Sequence, residues 1–369
     1  MARSTFPLAP TRSGATVLFV FLLVACASTP SSSRQRVAAA PASVPAQSAA
    51  VVHTPSPIGP PQPASPADLA RGRERGWGWM VDKLIADGVS PARAAKAFAD
   101  PRMPAFEGLL FGLNPHESTF LYRNFLKPRS VEQAERCAED HAPELLAAQR
   151  LHGVDASVVA AIMHVESHCG RNTGNSLVLH RLARLAMANE PHNVARNLAR
   201  ATNRRGAIDA ELAERIRSRA RYLEGVFYPQ VVATFEVARQ EGIDPLSIRG
   251  SGAGAFGTVQ FLPMNYVAFG TDADGDGRVS LYDPADAAAS CARFLASYGW
   301  KPGLSRARKR EIIWNYNRSD AYIDTVLALA DRIAASGALA AGHHSEATEA
   351  QALPASTAAH RGAPALRHP

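Results

Sequence analysis

Apolar residues return at helical spacing along most of the central chain. Val158, Ile162, Val165 and Cys169 form one such stripe, which predicts an amphipathic helix stopped by Gly170. Glu166 lies beside the stripe, in line with Val159 and Met163. Met80, Leu84 and Ile85 mark an earlier helical face, and Ser90-Pro91 reads as an N-cap with proline at the first helical position. Ser130-Val131-Glu132-Gln133 has the form of a capping box and predicts one long helix from there to about His152. Gly153-Val154-Asp155 then turns the chain into the Glu166 helix, making an antiparallel hairpin. Further helices are expected at 193–202 and 209–240. Period-two alternation of useful length is absent, so the expected fold is mainly α, without a large sheet.

Composition sets the limits of the folded part. Residues 27–66 and 337–369 are rich in small residues and proline and poor in bulky apolar groups. Neither stretch can offset its ordering entropy by burial, so the first reads as a tether and the second as a disordered tail. Residues 67–336 form the expected folded domain. The formal net charge of +7 is spread along the chain rather than gathered into a stripe, which argues against a nucleic-acid partner. It suits an anionic polymer or surface, or plain solvated charge. Residues 1–26 have the form of a targeting segment: Arg3 and Arg12, then an apolar run from Val17 to Ala25 too short to span a bilayer. The run ends in Leu23-Val24-Ala25-Cys26, which resembles the lipobox of bacterial lipoproteins. That resemblance implies acylation of Cys26 and a lipid anchor, and Ala27 in place of Asp implies the outer membrane, facing the periplasm. The alternative is an ordinary secretory signal with an incidental cysteine.

Several residues carry possible chemistry. Glu166, partly desolvated on its helix, suits a general acid because burial raises a carboxyl pKa, although most glutamates at helix ends are simply solvated. His164 and His168 stand four apart as zinc ligands do, but Glu166 points away from His164 and cannot act as base for a metal held there. With Cys26 assigned to lipid, Cys137, Cys169 and Cys291 remain. In the hairpin Cys137 and Cys169 come level, so a disulfide is expected between them in an oxidising compartment. The alternative is three small buried thiols. Ser251 to Gly257 contains G-x-G-x-x-G but lacks the strand, helix and acidic residue of a dinucleotide site, so its small residues are expected to let backbone approach a ligand that Gln260 bonds. Asp272, Asp274, Asp276, Ser280 and Asp283, with Gly277 at position six and the Arg278 carbonyl at seven, follow a calcium-binding EF-hand loop. An empty Asp-rich turn is the alternative, and Asp283 before Pro284 also suits a helix cap. Arg217, Arg219 and Arg221 read mostly as a solvated face, with one or two available to substrate carboxylates. Trp300, Trp314, Tyr316 and Tyr322 fit either a saccharide cleft or core packing.

From about Tyr122 to Ile333 the sequence resembles the B-type membrane-bound lytic transglycosylases, which cleave bacterial peptidoglycan. The matching segments, in order, are Val165-Glu166-Ser167 with Gly170; Gly250-Ser251 with Ala253 to Gly257; Gln260 to Pro263; the acidic loop with Leu281 to Pro284; Tyr298-Gly299-Trp300; and Tyr316-Asn317 with Ser319 and Tyr322. The resemblance implies a lysozyme-like helical domain with an EF-hand-like calcium loop and no organic cofactor. It implies Glu166 as the sole catalytic carboxylate, and Ser251, Gln260, Arg219, Tyr316, Asn317 and Tyr322 as substrate-binding positions. The reaction it implies is cleavage between N-acetylmuramic acid and N-acetylglucosamine with formation of a 1,6-anhydro sugar, by a monomer acting on glycan strands. A hydrolytic muramidase of the same fold and a non-enzymatic wall-binding lipoprotein are the competing readings. Two departures stand out: an aromatic near Cys169 is missing, and a paired arginine of the family is met only at Arg219, with Ser218 before it.

Overall fold

The computed structural model describes residues 62–113, 120–202 and 206–340. Cys26, the signal segment, nearly all of the tether and the tail beyond 340 lie outside the described residues. Helices α1 (Pro66–Glu74), α2 (Gly78–Ala86) and α3 (Pro91–Ala99) pack together first. Met80, Val81 and Leu84 of α2 are buried, as are Ala94, Ala97 and Phe98 of α3. Trp77 is fully buried between Phe98 and Phe106, with ring centroids 5.2 and 5.3 Å away. Its indole N–H donates to the Pro104 carbonyl at 2.9 Å, which settles the one polar atom this burial brings in.

After the short α4 (Phe120–Arg123), the chain forms α5 (Pro128–Asp140), α6 (Ala142–His152) and α7 (Ala156–Ser167). The single long helix expected from Ser130 to His152 is therefore two. Pro143 breaks it: proline lacks an N–H and its ring clashes with the carbonyl four residues back, so the chain restarts after His141. Ser130 is not an N-cap either. Lys127 holds that place, and Ser130 Oγ lies 2.9 Å from His164 Nε2 instead. Gly153, left-handed at φ 67°, closes α6.

α7 is buried on all sides rather than amphipathic: Ala156 and every residue from Val158 to Ser167 are buried. It packs against α5, α6, α12 (Pro284–Ser297) and α14 (Asp320–Ser336). It also ends three residues before Gly170. His168 and Cys169 already adopt left-handed φ values of 50° and 58°. The Cys169 N–H bonds the Met163 carbonyl at 3.0 Å, so the last turn is capped by backbone. Cys137 and Cys169 are joined by a disulfide with Cα atoms 6.2 Å apart, which ties this turn to α5.

The remainder comprises α8 (Val178–Ala186), α9 (Pro191–Ala201), the long α10 (Ala210–Gln240), α11 (Pro263–Phe269) and α13 (Arg306–Ile313), besides α12 and α14. Among the described residues the sheet is minimal: Ser176–Leu177 pairs antiparallel with Arg249–Gly250. This ladder brings the glycine-rich loop from Ser251 to Gly257 against α8.

Candidate active site

Glu166 stands in the last turn of α7, 6% exposed. Burial raises its carboxyl pKa to about 8, opposed only by a hydrogen bond from Tyr322. The Tyr322 hydroxyl donates to Glu166 Oε1 at 2.7 Å, and Oε2 has no hydrogen-bond partner among the described residues. Ser319 caps α14 through its hydroxyl and thereby sets Tyr322 in the first turn, over the end of α7. The Tyr322 ring is clamped by Tyr316, nearly parallel at 6.3 Å and 9°, and by Tyr122, edge-on at 5.8 Å. Tyr316 donates its hydroxyl to the Val259 carbonyl. The thiol of Cys291, on α12, is pushed up by burial and then by Glu166, so it stays protonated there. The result is a neutral carboxylic acid in an aromatic wall, with one oxygen held and one available.

The other expected site residues divide. Asn317 follows Tyr316, and its Oδ1 is buried with no hydrogen-bond partner, an acceptor that a ligand donor would satisfy. Tyr322 is itself buried and acts on Glu166, so it reaches a ligand through that carboxyl. Ser251 Oγ exchanges hydrogen bonds with the Ala255 backbone at 3.2 and 3.3 Å. Gln260 donates both amide hydrogens inward, to the carbonyls of Thr173 at 3.0 Å and Gly257 at 2.8 Å, leaving Oε1. The small residues between them serve the protein's own packing. A Cβ on Gly254 would lie 2.4 Å from Leu182, and one on Gly257 would lie 2.3 Å from Leu281, both at positive φ. The expected close approach is thus to side chains of this chain. The loop reaches the site at Thr258, whose carbonyl accepts from Ser167 Oγ at 2.6 Å, next to Glu166. Arg219 lies on α10 with its guanidinium 5.0 Å from the Tyr222 ring and its Nε buried without a hydrogen-bond partner.

His164 and His168 pack against Phe125 and each other, and burial lowers the His164 pKa to about 4. Both are neutral aromatic packing groups. Among the described residues the carboxylates that converge as metal ligands do are in the 272–286 loop. Oxygens of Asp272, Asp274 and Asp276 lie within 4.8 Å of one another, as do those of Asp274, Asp283 and Asp286. Gly277 is left-handed at φ 85° where the loop turns. The Arg278 side chain turns away to the Glu241 carbonyl at 2.9 Å, which leaves its own carbonyl as the group relevant to an ion. Asp283 also caps α12, as its place before Pro284 suggests: its Oδ1 accepts from Ala285 at 2.8 Å. Asp286 is the residue the sequence reading missed. Its two oxygens take the N–H groups of Ala273 and Ser280, each at 2.7 Å, so it holds both ends of the loop. The signal was present: Pro284 starts a helix, and an acid two residues later turns back toward the cap. A twelve-residue template stops short of it.

The transglycosylase SLT domain family matches residues 79–312. The membrane-bound lytic murein transglycosylase B of Escherichia coli (strain K12) is 30% identical over 190 residues, 51% of this chain. The match spans 44% of that relative's length, less than half. The Escherichia coli lytic transglycosylase SLT35, solved in complex with calcium, shares the fold with a TM-score of 0.50 at 20% identity, over 74% of this chain and 96% of its own. SltB3 from Pseudomonas aeruginosa, solved with NAG-anhNAM-pentapeptide, also gives 0.50, at 22% identity over 71% of this chain and 78% of its own. At such identities the likeness is one of fold. The family match covers most of the described chain, including Glu166 and the acidic loop and ending before Tyr316, Asn317 and Tyr322, and the chain belongs to the transglycosylase SLT domain family.

Proposed function

We propose that this chain is a peptidoglycan lytic transglycosylase, cleaving the β-1,4 bond between N-acetylmuramic acid and N-acetylglucosamine with formation of a 1,6-anhydromuramyl end. The observation that carries this is Glu166: one buried carboxyl, protonated near neutrality, with no second carboxylate among the described residues contributing to its titration. Glycosidases that use water or a covalent intermediate need a second carboxylate, either about 5–5.5 Å away or somewhat wider. Here Glu166 gives its proton to the glycosidic oxygen and then takes the proton of the muramyl C6 hydroxyl, which attacks C1 of its own sugar. The C1–O bond to the leaving sugar breaks, the C1–O6 bond forms, and Glu166 ends protonated as it began. Effective molarities on the order of 10⁵ M favour such an intramolecular closure over attack by water. Tyr322 holds Oε1 and leaves Oε2 for the substrate.

Calcium fits the acidic loop, whose donors are all hard oxygens. Asp272, Asp274, Asp276, the Arg278 carbonyl, Asp283 and Asp286 would hold it in a structural role. The lipobox at Cys26 supports a lipid anchor in the outer membrane, with the domain acting as a monomer in the periplasm on glycan strands. Among the described residues no helix is long and apolar enough to cross a membrane.

The decisive experiment is mass spectrometry of products released from purified sacculi. Wild-type chain should release anhydromuropeptides about 18 Da lighter than hydrolysis products, because no water enters. Glu166→Gln should lose about 10⁴-fold in rate or more, since one residue carries both proton transfers. Products containing the extra water would establish a muramidase instead. A folded Glu166→Gln variant with wild-type rate would remove Glu166 from the mechanism.

A further inference from the structure

Three basic side chains, His180, Arg181 and Arg184, fall within about a turn of α8. Arg181 Nε donates to the Gly252 carbonyl at 2.5 Å, so its guanidinium lies against the loop that begins at Ser251 and ends beside Ser167 and Glu166. A Cβ on Gly252 would sit 3.5 Å from the Arg181 terminal nitrogen, which places that nitrogen at the loop surface. Arg184, three residues further on, is half-buried, and burial first and Arg181 second disfavour its charge. His180, edge-on to Trp77 at 6.1 Å, is kept neutral by burial and by both arginines. Elsewhere the chain pairs its arginines with acids, as in Arg221 with Glu214 and Arg310 with Asp320. Among the described residues no carboxylate pairs with Arg181 or Arg184. Two guanidinium groups three apart on a helix repel, and each presents a planar fork suited to a carboxylate. Arg181 has spent only one donor on Gly252.

We propose that Arg181 and Arg184 form a carboxylate subsite beside the glycine-rich loop, which takes an anionic substituent of the muramyl sugar. Two sources share this chemistry: the free lactyl carboxylate of a peptide-stripped strand, and a carboxylate of the attached stem peptide. The inference rests on the transglycosylase reading for the identity of the substrate.

The test compares wild type, Arg184→Gln and Arg184→Lys on three probes: peptide-bearing sacculi, amidase-stripped glycan, and the uncharged oligosaccharide chitohexaose. Arg184→Gln leaves the Arg181–Gly252 bond intact, and its melting temperature checks the fold. Its KM should rise about fivefold on at least one muramyl substrate, as loss of one half-exposed charge-assisted contact gives, with kcat within about twofold. The salt dependence of KM should flatten, Arg184→Lys should restore part of the loss, and chitohexaose affinity should be unchanged. The substrate that responds names the source of the carboxylate. An unchanged KM on both muramyl substrates, or an equal loss on chitohexaose, would overturn the proposal. Wild-type chain that releases no anhydro product from either substrate would sink the transglycosylase reading on its own. The subsite would then be decided by the same variants' affinity for intact sacculi.

Discussion

At Glu166, burial and Tyr322 act in opposite directions on one proton. Burial dominates, so the folded chain keeps the proton up to about pH 8, whereas the unfolded chain releases it near 4.5. Between those values the unfolded state binds fewer protons, so folding stability falls as pH rises, by on the order of 3–5 kcal/mol across the window. Glu166→Gln removes that proton. Its melting temperature should match wild type near pH 4.5 and exceed it near pH 9, and equal midpoints at pH 9 would mean that folding does not raise the Glu166 pKa. The same pKa predicts that the rate falls as pH passes about 8, because the general acid is then lost. Tyr322→Phe deletes the bond that favours the carboxylate. Its alkaline limb should move to higher pH while its rate drops, and a limb that stays in place would show that the bond is not felt.

The elements around α7 explain why that residue is so dry. α7 has no solvent face, and its end is fixed twice, by Ser167 Oγ to the Thr258 carbonyl and by the disulfide from Cys169 to α5. The bridge closes a sequence separation of 32 residues, for which chain-entropy arguments give about 2–4 kcal/mol. Non-reducing peptide mapping of exported protein should join the peptides of Cys137 and Cys169 and leave Cys291 as a thiol, and a map with both free would refute the bridge. Cys137→Ser with Cys169→Ser should lower the urea midpoint to match. Activity should fall too, since the left-handed turn after Glu166 loses its anchor.

Across the whole molecule, the acidic loop ties the C-terminal half to the catalytic loop. Tyr266 on α11 bonds the Val279 carbonyl at 2.9 Å, Arg278 reaches Glu241 at the end of α10, and Asp286 holds Ala273 and Ser280 from α12. The Leu281 carbonyl accepts from Thr258 N–H at 2.6 Å, which connects the loop to Ser167. A cation bound there stabilises only the folded state, by about 2.7 kcal/mol at a hundred times Kd. Melting temperature should rise in calcium relative to chelator, and Asp272→Ala with Asp276→Ala should abolish the rise. Asp286→Asn should weaken it as well, which separates Asp286 from the role of Asp283 as a cap. No difference between calcium and chelator in the intact chain would show that the loop binds none.

The sequence by itself determined the helical class, because 3.6-residue periodicity and proline or serine at helix starts are local properties. Glu166 and the order of motifs around it were likewise readable, since each motif is short and contiguous. The acidic loop was found, but its reach was not, because Asp286 joins it only through the geometry of the next helix. Pro143 lies inside the stretch read as one helix from Ser130 to His152, and a proline there is a local break signal. What only the tertiary structure decided was contact between distant segments. Tyr322 lies 156 residues from the carboxyl it holds, and Gln260 faces a carbonyl 87 residues away. Whether a polar group meets a ligand or its own backbone depends on which chain folds over it. No local pattern encodes that, and so the dryness that raises Glu166 to about pH 8 became visible only in the packed molecule.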